Sequence, residues 1–175
     1  LDSLRQQFQL PFVGVVPAIK PAAALSATKV IALLATEATI HRDYIEQLRL
    51  SYADNCEIIR FGSQRLVEIA EDAIEGKAIN THDISIELTR LKQHPHFQNI
   101  DTVILGCTHF PAIREALQIV WPKKVHWVDS GEAIARRVEH ICQSLPCKLD
   151  NHIQNNGMLY LTSNLNADLK LKTVE

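Results

Sequence analysis

Short apolar runs rich in β-branched residues recur along the chain, and amphipathic stretches separate them. This pattern is typical of strands that alternate with helices in a parallel sheet. The predicted strands are Phe12–Val16, Val30–Leu34, Glu57–Arg60, Thr102–Leu105, Val125–Val128 and Met158–Leu161. The predicted helices are His41–Leu50, Gln64–Glu75, Ser85–Lys92, Ile113–Val120 and Ala133–Leu145.

The order of these elements predicts an α/β fold of the doubly wound kind, because parallel strands need crossover connections that are normally helical. Two residues support the helix bounds: Gly76 closes the second predicted helix, and Pro111 suits the first turn of the fourth. Ligands of such folds bind at the carboxyl ends of the strands. We therefore expect the functional residues at that edge of the sheet.

Composition narrows the class of protein. The chain has 175 residues, 46% of them hydrophobic, with 18 basic and 20 acidic side chains and a formal net charge of −2. This apolar content is enough for a buried core. No segment concentrates Lys and Arg, so nucleic acid is not expected as a partner. The longest apolar runs, such as Val30–Ala35, are far shorter than the roughly 20 residues that cross a bilayer, so no membrane span is expected.

The four cysteines, Cys56, Cys107, Cys142 and Cys147, are too sparse for a disulfide framework. This favours a reducing, cytoplasmic location. The sequence opens at Leu1 without Met, and its first ten residues show helical spacing in place of a signal peptide. We therefore expect that the sequence begins inside a longer protein.

The stretch VILGCTHFP (Val103–Pro111) predicts a buried strand that enters a turn and then a helix. Cys107 falls at the carboxyl end of the strand, where unpaired N–H groups and a helix dipole would stabilise a thiolate or hold a carboxylate. Gly106 permits a close backbone approach, Thr108 offers a hydroxyl, and His109 is an ionisable neighbour. From residue type alone, a buried and inert cysteine is an equally good interpretation.

Three segments together resemble the glutamate racemases. GCTHFP (Gly106–Pro111) is similar to the second cysteine motif of that family. Pro11–Thr36 resembles its VGVVPAIKPA segment and the ILAT-type strand that follows, and VDSGEAIARRV (Val128–Val138) is similar to a third segment. The likeness covers most of residues 11–138. Racemases that act on aspartate usually have an acidic residue in the place of His109, so the resemblance favours glutamate.

The resemblance implies a glutamate racemase, which interconverts L- and D-glutamate without pyridoxal phosphate, metal or nucleotide. It supplies D-glutamate for peptidoglycan, and therefore for cell wall biogenesis and cell shape. In the family, two cysteines flank the substrate α-carbon, and one thiolate removes the α-proton while the opposing thiol delivers a proton to the other face. Inversion through a planar carbanion requires an acid and a base on opposite sides.

The family's roles carry over to matching positions of this chain. Cys107 matches the second catalytic cysteine, and Thr108 and His109 match the neighbours that bind substrate and assist the thiol. In the family, a glutamate on the helix after the third strand orients the histidine. The candidates are Glu71, which we favour, and Glu68, and spacing does not separate them. A solvated helix face is the ordinary explanation for either carboxylate.

Thr36 and Thr39 follow the predicted strand Val30–Leu34. A loop in this place could contact the ligand, so both threonines are candidates for substrate binding. Capping of the helix that begins near His41 is the simpler explanation for Thr39.

One feature of the family does not occur in the sequence. Its first cysteine lies in an IACNTAS-type segment that follows a D-S-G-type turn, and Leu1 resembles the residues just after that segment. Cys56, Cys142 and Cys147 lie in no matching context. We therefore expect that the 175-residue chain alone does not racemise glutamate.

The resemblance also predicts a division of the chain into three parts. Residues 1–13 would form the end of an amino-terminal lobe or a linker, residues 14–121 the lobe that bears Cys107, and residues 122–175 elements that return to the amino-terminal lobe. The candidate crossing point is Trp121–Lys124. An apolar face would then lie uncovered, and we expect self-association into a homo-oligomer through it.

Other functions need fewer of these features. A non-catalytic amino-acid-binding or regulatory module would need only the carboxylate-binding turn, and an aspartate-type racemase is a related alternative. Three pairs suggest zinc: Cys107 with His109, Cys142 with Cys147, and His94 with His96. None has the paired spacing of structural zinc sites. No Lys lies in a Schiff-base setting beside a Gly-rich phosphate loop, which disfavours pyridoxal phosphate. We therefore expect no cofactor.

Overall fold

The structure is a computed structural model that describes residues 2–8 and 10–144. The strands of the described residues are β1 (Val30–Ala35), β2 (Glu57–Gly62), β3 (Thr102–Leu105) and β4 (His126–Val128). The α-helices are α1 (Asp2–Gln7), α2 (Ile19–Leu25), α3 (Glu37–Ile40), α4 (Asp43–Tyr52), α5 (Gln64–Ile74), α6 (Thr81–Glu87), α7 (Thr89–Lys92), α8 (Arg114–Val120) and α9 (Gly131–Ser144). Short 3-10 helices cover Phe97–Asn99 and Phe110–Ile113.

The four strands form one parallel sheet in the order β2-β1-β3-β4. The chain runs from β1 outwards to β2 and then crosses to β3 on the other side of β1. The strand order therefore reverses between β1 and β3, which is the place where doubly wound sheets bind ligands. The predicted α/β, doubly wound fold is confirmed.

β1 is buried along its whole length because helices cover both of its faces. Alternate side chains enter different cores. Val30 and Leu34 pack with residues of α5–α8, while Ile31 and Leu33 pack with residues of α2–α4. Burial on both faces explains why β1 is a continuous apolar run rather than an alternating one.

Four of the predicted strands are confirmed as β1–β4, with ends that differ by two residues at most. The predicted strand Met158–Leu161 lies outside the described residues. The predicted strand Phe12–Val16 is wrong, since residues 11–18 contain no strand. An apolar run forms a strand only where it pairs with a neighbour and buries a face, and the side chains of Val15 and Val16 are exposed.

The predicted helices correspond to α4, α5, α8 and α9, with small shifts of their ends. The single predicted helix Ser85–Lys92 is wrong, because α6 ends at Glu87 and α7 starts at Thr89. α2 is absent from the predicted helices, and its Pro21 lies in the first turn, where proline is tolerated. Gly76 closes α5 as predicted, with a left-handed φ of 87°.

β4 pairs with β3, so the sheet continues past Pro122. The chain divides into two units, Leu1–Gln143 and Ser144–Glu175, and the sheet belongs to the first. The predicted return of residues 122–175 to another lobe stays a prediction. Within residues 2–8 and 10–144, none of the helices has both the length and the apolar composition of a membrane span.

Asp101 stabilises the amino-terminal edge of the sheet through hydrogen bonds. Its carboxylate accepts hydrogen bonds from the Ser26 hydroxyl at 2.6 Å and from the N–H groups of Ala27 and Thr28 at 2.7 and 2.8 Å. The Thr102 hydroxyl donates a further bond at 3.0 Å. Burial raises the pKa of Asp101, but the hydrogen bonds outweigh it and hold the pKa at about 2. Asp101 therefore ties the loop before β1 to the start of β3.

Replacement of Asp101 by Asn should lower the free energy of unfolding by about 1–2 kcal/mol at neutral pH, because the loop donors lose a charged acceptor. The stabilisation by Asp101 is complete above its ordinary pKa of 3.8 and is lost as the pH falls towards 2. Urea unfolding of the wild type and of Asp101→Asn is measured from neutral pH down to the lowest pH at which both still fold. The difference between their free energies of unfolding should become smaller as the pH falls. Asp54→Asn, at an exposed carboxylate, is the control, and a difference independent of pH would contradict the prediction.

Candidate active site

β1 and β3 are parallel neighbours, so the loops that follow them begin side by side at the carboxyl edge of the sheet and then diverge. β1 leads into Thr36, and β3 leads into Gly106 and Cys107. The N–H of Gly106 donates to the carbonyl of Leu34 at 2.7 Å. This bond continues the pairing one residue beyond β3 and fixes where the Cys107 turn begins.

Gly106 occupies a place with no room for a side chain. A Cβ there would lie 2.7 Å from Cδ1 of Leu33 and 3.1 Å from the carbonyl oxygen of Leu34. Leu33 is fully buried, so it cannot give way cheaply. Glycine is therefore required by the close approach of β1 to the Cys107 turn.

The Sγ of Cys107 lies 3.8 Å from Nδ1 of His109. Cys107 is half-buried and packs against the core on the α5–α8 face. The N–H of Phe110 donates to the Cys107 carbonyl, and the N–H of Ala112 donates to the His109 carbonyl. The thiol is thus held on a turn at the open edge of the sheet rather than deep among aliphatic side chains.

The predicted helix Ile113–Val120 is confirmed as α8, but the expectation that its amino terminus lies next to Cys107 is wrong. A 3-10 helix, Phe110–Ile113, follows the cysteine turn, and α8 begins only at Arg114. The field of a helix dipole falls off within its first turn. The near neighbour that can act on the thiol is therefore His109, which can accept its proton, rather than a helix dipole.

Glu71 lies beside His109, and Glu68 does not. Oε1 of Glu71 is 4.0 Å from Nδ1 of His109. The carboxylate of Glu68 pairs with Arg65 at 3.1 Å, one helical turn away on α5. The same Nδ1 atom faces both Cys107 and Glu71, so a neutral ring can accept a proton from the thiol or donate one to the carboxylate, but not both at once.

Thr36 is the N-cap of α3, and it lies with Thr39 at the same edge of the sheet. Its Oγ1 accepts a hydrogen bond from the N–H of Thr39 at 3.2 Å and lies 2.8 Å from the Thr39 hydroxyl. The suggestion that Thr39 caps the following helix is wrong, since α4 begins at Asp43 with Arg42 as its N-cap. Both threonines are half-buried, whereas Thr108 is exposed.

Two clefts lie away from the cysteine turn. One, of about 370 Å³, borders the end of β2, and Glu37 and Arg90 are among its lining residues. The other, of about 320 Å³, lies between residues 13–21, α4 and α9. Cys107 lines neither cleft. No sequence pattern identifies Glu37 or Arg90, because only the fold brings α7 to the end of β2.

His94 and His96 do not form a metal site with the described residues. Nδ1 of His96 is 2.5 Å from a carboxylate oxygen of Glu57, and its ring lies against that of His94. Within residues 2–8 and 10–144, no group of three or more His, Cys, Asp or Glu side chains is placed to hold a metal ion.

Comparison with known proteins identifies similar sequences along most of the chain. Residues 1–138 match the family model described as Asp/Glu/Hydantoin racemase. A glutamate racemase of Pasteurella multocida (strain Pm70) is 44% identical over 155 residues, which are 89% of this chain and 56% of that protein. One of Histophilus somni (strain 2336) is 38% identical over 174 residues, which are 99% of this chain and 63% of that protein. The chain therefore spans about 56–63% of the length of these relatives.

Solved structures show the same architecture. The crystal structure of Escherichia coli glutamate racemase in complex with L-glutamate and the activator UDP-MurNAc-ala is similar with a TM-score of 0.76 and 42% sequence identity, over 82% of this chain and 53% of that chain. A glutamate racemase isoform from Bacillus anthracis has a TM-score of 0.64 at 24% identity, again over 82% and 53%. The latter likeness shows the fold alone.

Gly106→Ala should lower the free energy of unfolding by about 1–3 kcal/mol, because the new methyl group overlaps Leu33 and crowds the backbone of β1. The measurement is equilibrium urea unfolding monitored by circular dichroism. Ala112→Ser, in the exposed part of the following 3-10 helix, is the control and should change stability little. A Gly106→Ala protein as stable as the wild type would show that the space beside β1 is not limiting.

Proposed function

Since the chain belongs to the Asp/Glu/Hydantoin racemase family, we propose that it carries one half of the active site of a glutamate racemase, with Cys107 as the residue that exchanges a proton with the substrate α-carbon. The contact of 3.8 Å between the Cys107 sulfur and His109 at the open edge of the sheet carries this proposal. The glutamate racemases that are similar over most of the chain support the choice of substrate. The D-glutamate would serve peptidoglycan synthesis.

In the proposed mechanism, His109 accepts the Cys107 proton at Nδ1 and leaves a thiolate. The thiolate takes the α-proton of glutamate, which becomes a planar carbanion while the thiol reforms. The carboxylate of Glu71, 4.0 Å from the ring nitrogen, stabilises the imidazolium. Cys107 is thus the base, His109 assists it, and Glu71 positions the ring and offsets its charge.

Protonation of the carbanion from the opposite face needs a second acid. Cys56 does not supply it, because it is buried in the core on the α2–α4 face of the sheet. Cys142 is exposed on α9, Cys147 lies outside the described residues, and none of the three lies in a sequence that matches the first cysteine motif. We propose that a thiol outside these 175 residues fills this role in the whole protein.

Substrate binding would use the two loops that flank the reversal of strand order. The hydroxyls of Thr36 and Thr39 lie on the β1 side, and that of Thr108 lies on the β3 side. Hydroxyl groups can donate to the glutamate carboxylates or accept from its ammonium group. The proposal therefore places the α-carbon between these loops, on the open face of Cys107.

Location and assembly are further parts of the proposal. Cys56, Cys107 and Cys142 are free thiols in the described residues, which is typical of a reducing compartment such as the cytoplasm. Apolar side chains of Val15, Val16 and Val138 are exposed, and self-association through such a surface stays a prediction.

D- or L-glutamate should slow the alkylation of Cys107 by iodoacetamide, because the bound substrate would cover the sulfur. Peptide mass spectrometry measures each cysteine separately, so exposed Cys142 serves as the control within the same molecule. The proposed site would be contradicted if glutamate left Cys107 unprotected, or if it slowed the alkylation of Cys107 and Cys142 equally.

Two further measurements separate the alternative functions. Binding of glutamate without exchange of its α-proton in deuterated water favours a non-catalytic module. Protection of Cys107 by aspartate favours an aspartate-type racemase.

A chimera in which the matching 89% of this chain replaces the corresponding residues of the Pasteurella multocida relative should racemise glutamate, whereas the chain alone should not. Cys107→Ser in the chimera should reduce turnover roughly 10²–10⁴-fold, because a hydroxyl is a poor base in this step. Circular dichroism of optically pure glutamate follows the reaction.

Glu71→Gln and Glu68→Gln form a matched pair in the same chimera. The first should lower turnover about tenfold or more, and the second should leave it unchanged, because only Glu71 lies beside His109. Full turnover in Cys107→Ser would remove Cys107 from the mechanism. Racemisation by the chain alone, free of host enzyme, would show that no second cysteine motif is needed.

A further inference from the structure

The Thr36–Thr39 turn depends on contacts outside itself. It consists of the single turn of α3, with Thr36 as its N-cap. A helix this short is not stable on its own, because one turn gains too few hydrogen bonds to offset its nucleation. The position of the two threonine hydroxyls is therefore set by whatever holds α3 against the rest of the fold.

Two side chains of α3 reach across to the end of β2: the buried Ile40, and Glu37, which is the charged one. Its carboxyl group packs on the backbone of Gly62, where an added Cβ would lie 2.6 Å from the carboxyl carbon. The carboxylate is also 3.6 Å from Arg90 and 3.7 Å from Nε2 of His41. Glu37 directly follows Thr36, so the contacts of its carboxylate anchor the chain next to the capping threonine.

Arg90 comes from α7, in the connection between β2 and β3, and is held on several sides. Its guanidinium donates to the carbonyl of Gly62 at 2.5 Å and lies over the ring of Phe61, 4.8 Å from the ring centroid. A planar guanidinium can make these contacts together with the one to Glu37, which the point charge of a lysine cannot. Arg90 is therefore a partner of the Glu37 carboxylate that is itself held by its contacts with Phe61 and Gly62.

We propose that Glu37 and Arg90 are positioning residues for substrate binding: they hold the Thr36–Thr39 turn against the end of β2 so that its hydroxyls face the ligand. This inference rests on the proposed function, because it takes the turn to bind glutamate. Neither residue touches the reacting atoms. Both act through the backbone of α3.

The ion pair between Glu37 and Arg90 contributes little to the stability of the whole fold, so its loss should not unfold the protein. The side chains of Arg90 and Glu37 are 64% and 51% exposed, and exposed ion pairs stabilise a fold only slightly. Loss of either partner should shift the melting temperature by no more than about 3 °C. An effect on ligand binding would then report a change in position rather than unfolding.

The test uses the whole chain and glutamate as the probe. Glu37→Gln and Arg90→Met are compared with the wild type for protection of Cys107 from iodoacetamide over a series of glutamate concentrations. The half-protecting concentration should rise roughly 3- to 10-fold in both variants, the effect expected from loss of a coupled contact. The alkylation rate without glutamate should not change, because neither residue contacts Cys107. Arg90→Lys, which keeps the charge but not the planar group, should give an intermediate value.

Arg136→Met is the matched control, since Arg136 is an exposed arginine paired with Glu132 at 2.8 Å on α9. It should bind glutamate like the wild type. This inference is overturned if glutamate protects Cys107 at the same concentration in the wild type, Glu37→Gln and Arg90→Met. That result would leave the proposed function intact. A wild type that glutamate does not protect overturns the proposed substrate, and the inference fails with it.

Discussion

The burial of β1 is the constraint on which the described structure depends. This strand is hydrogen-bonded on both edges, to β2 and β3, and covered on both faces by helices. Because β1 has a neighbour on each edge, the chain must cross from β2 on one edge to β3 on the other. The loops after β1 and β3 therefore lead in different directions. The polar residues of the candidate site all lie on or beside these two loops. The site is therefore a consequence of how the core is packed.

The chemistry at this edge depends on one ring nitrogen. Nδ1 of His109 faces both the Cys107 sulfur and the Glu71 carboxylate, at 3.8 and 4.0 Å. In a neutral ring the nitrogen can serve one of them at a time, so a proton taken from sulfur leaves a charged ring next to a carboxylate. This arrangement suits a thiol that must lose and regain a proton. It also explains why a helix dipole is not needed beside Cys107.

Much of the fold could be predicted from the sequence, because β1 and β3 are apolar runs that only a two-sided core accommodates. The Cys107 turn was predicted for the same reason, as the end of such a run. The strand predicted at Phe12–Val16 failed because hydrophobicity does not supply a pairing partner. Glu71 could not be separated from Glu68 by spacing, since both lie on α5 and only the packing of α5 against the cysteine turn distinguishes them. The contact of Arg90 with the end of β2 is non-local and left no pattern in the sequence.

We propose that glutamate binds where the loops after β1 and β3 diverge. Amide chemical-shift mapping of the ¹⁵N-labelled chain during titration with D-glutamate tests this most directly. The largest shifts should occur at residues 36–39 and 106–109, on both sides of the reversal in strand order. Shifts confined to residues 59–62 and 90–94, or to residues 13–21, would place the ligand in one of the two clefts and contradict the account.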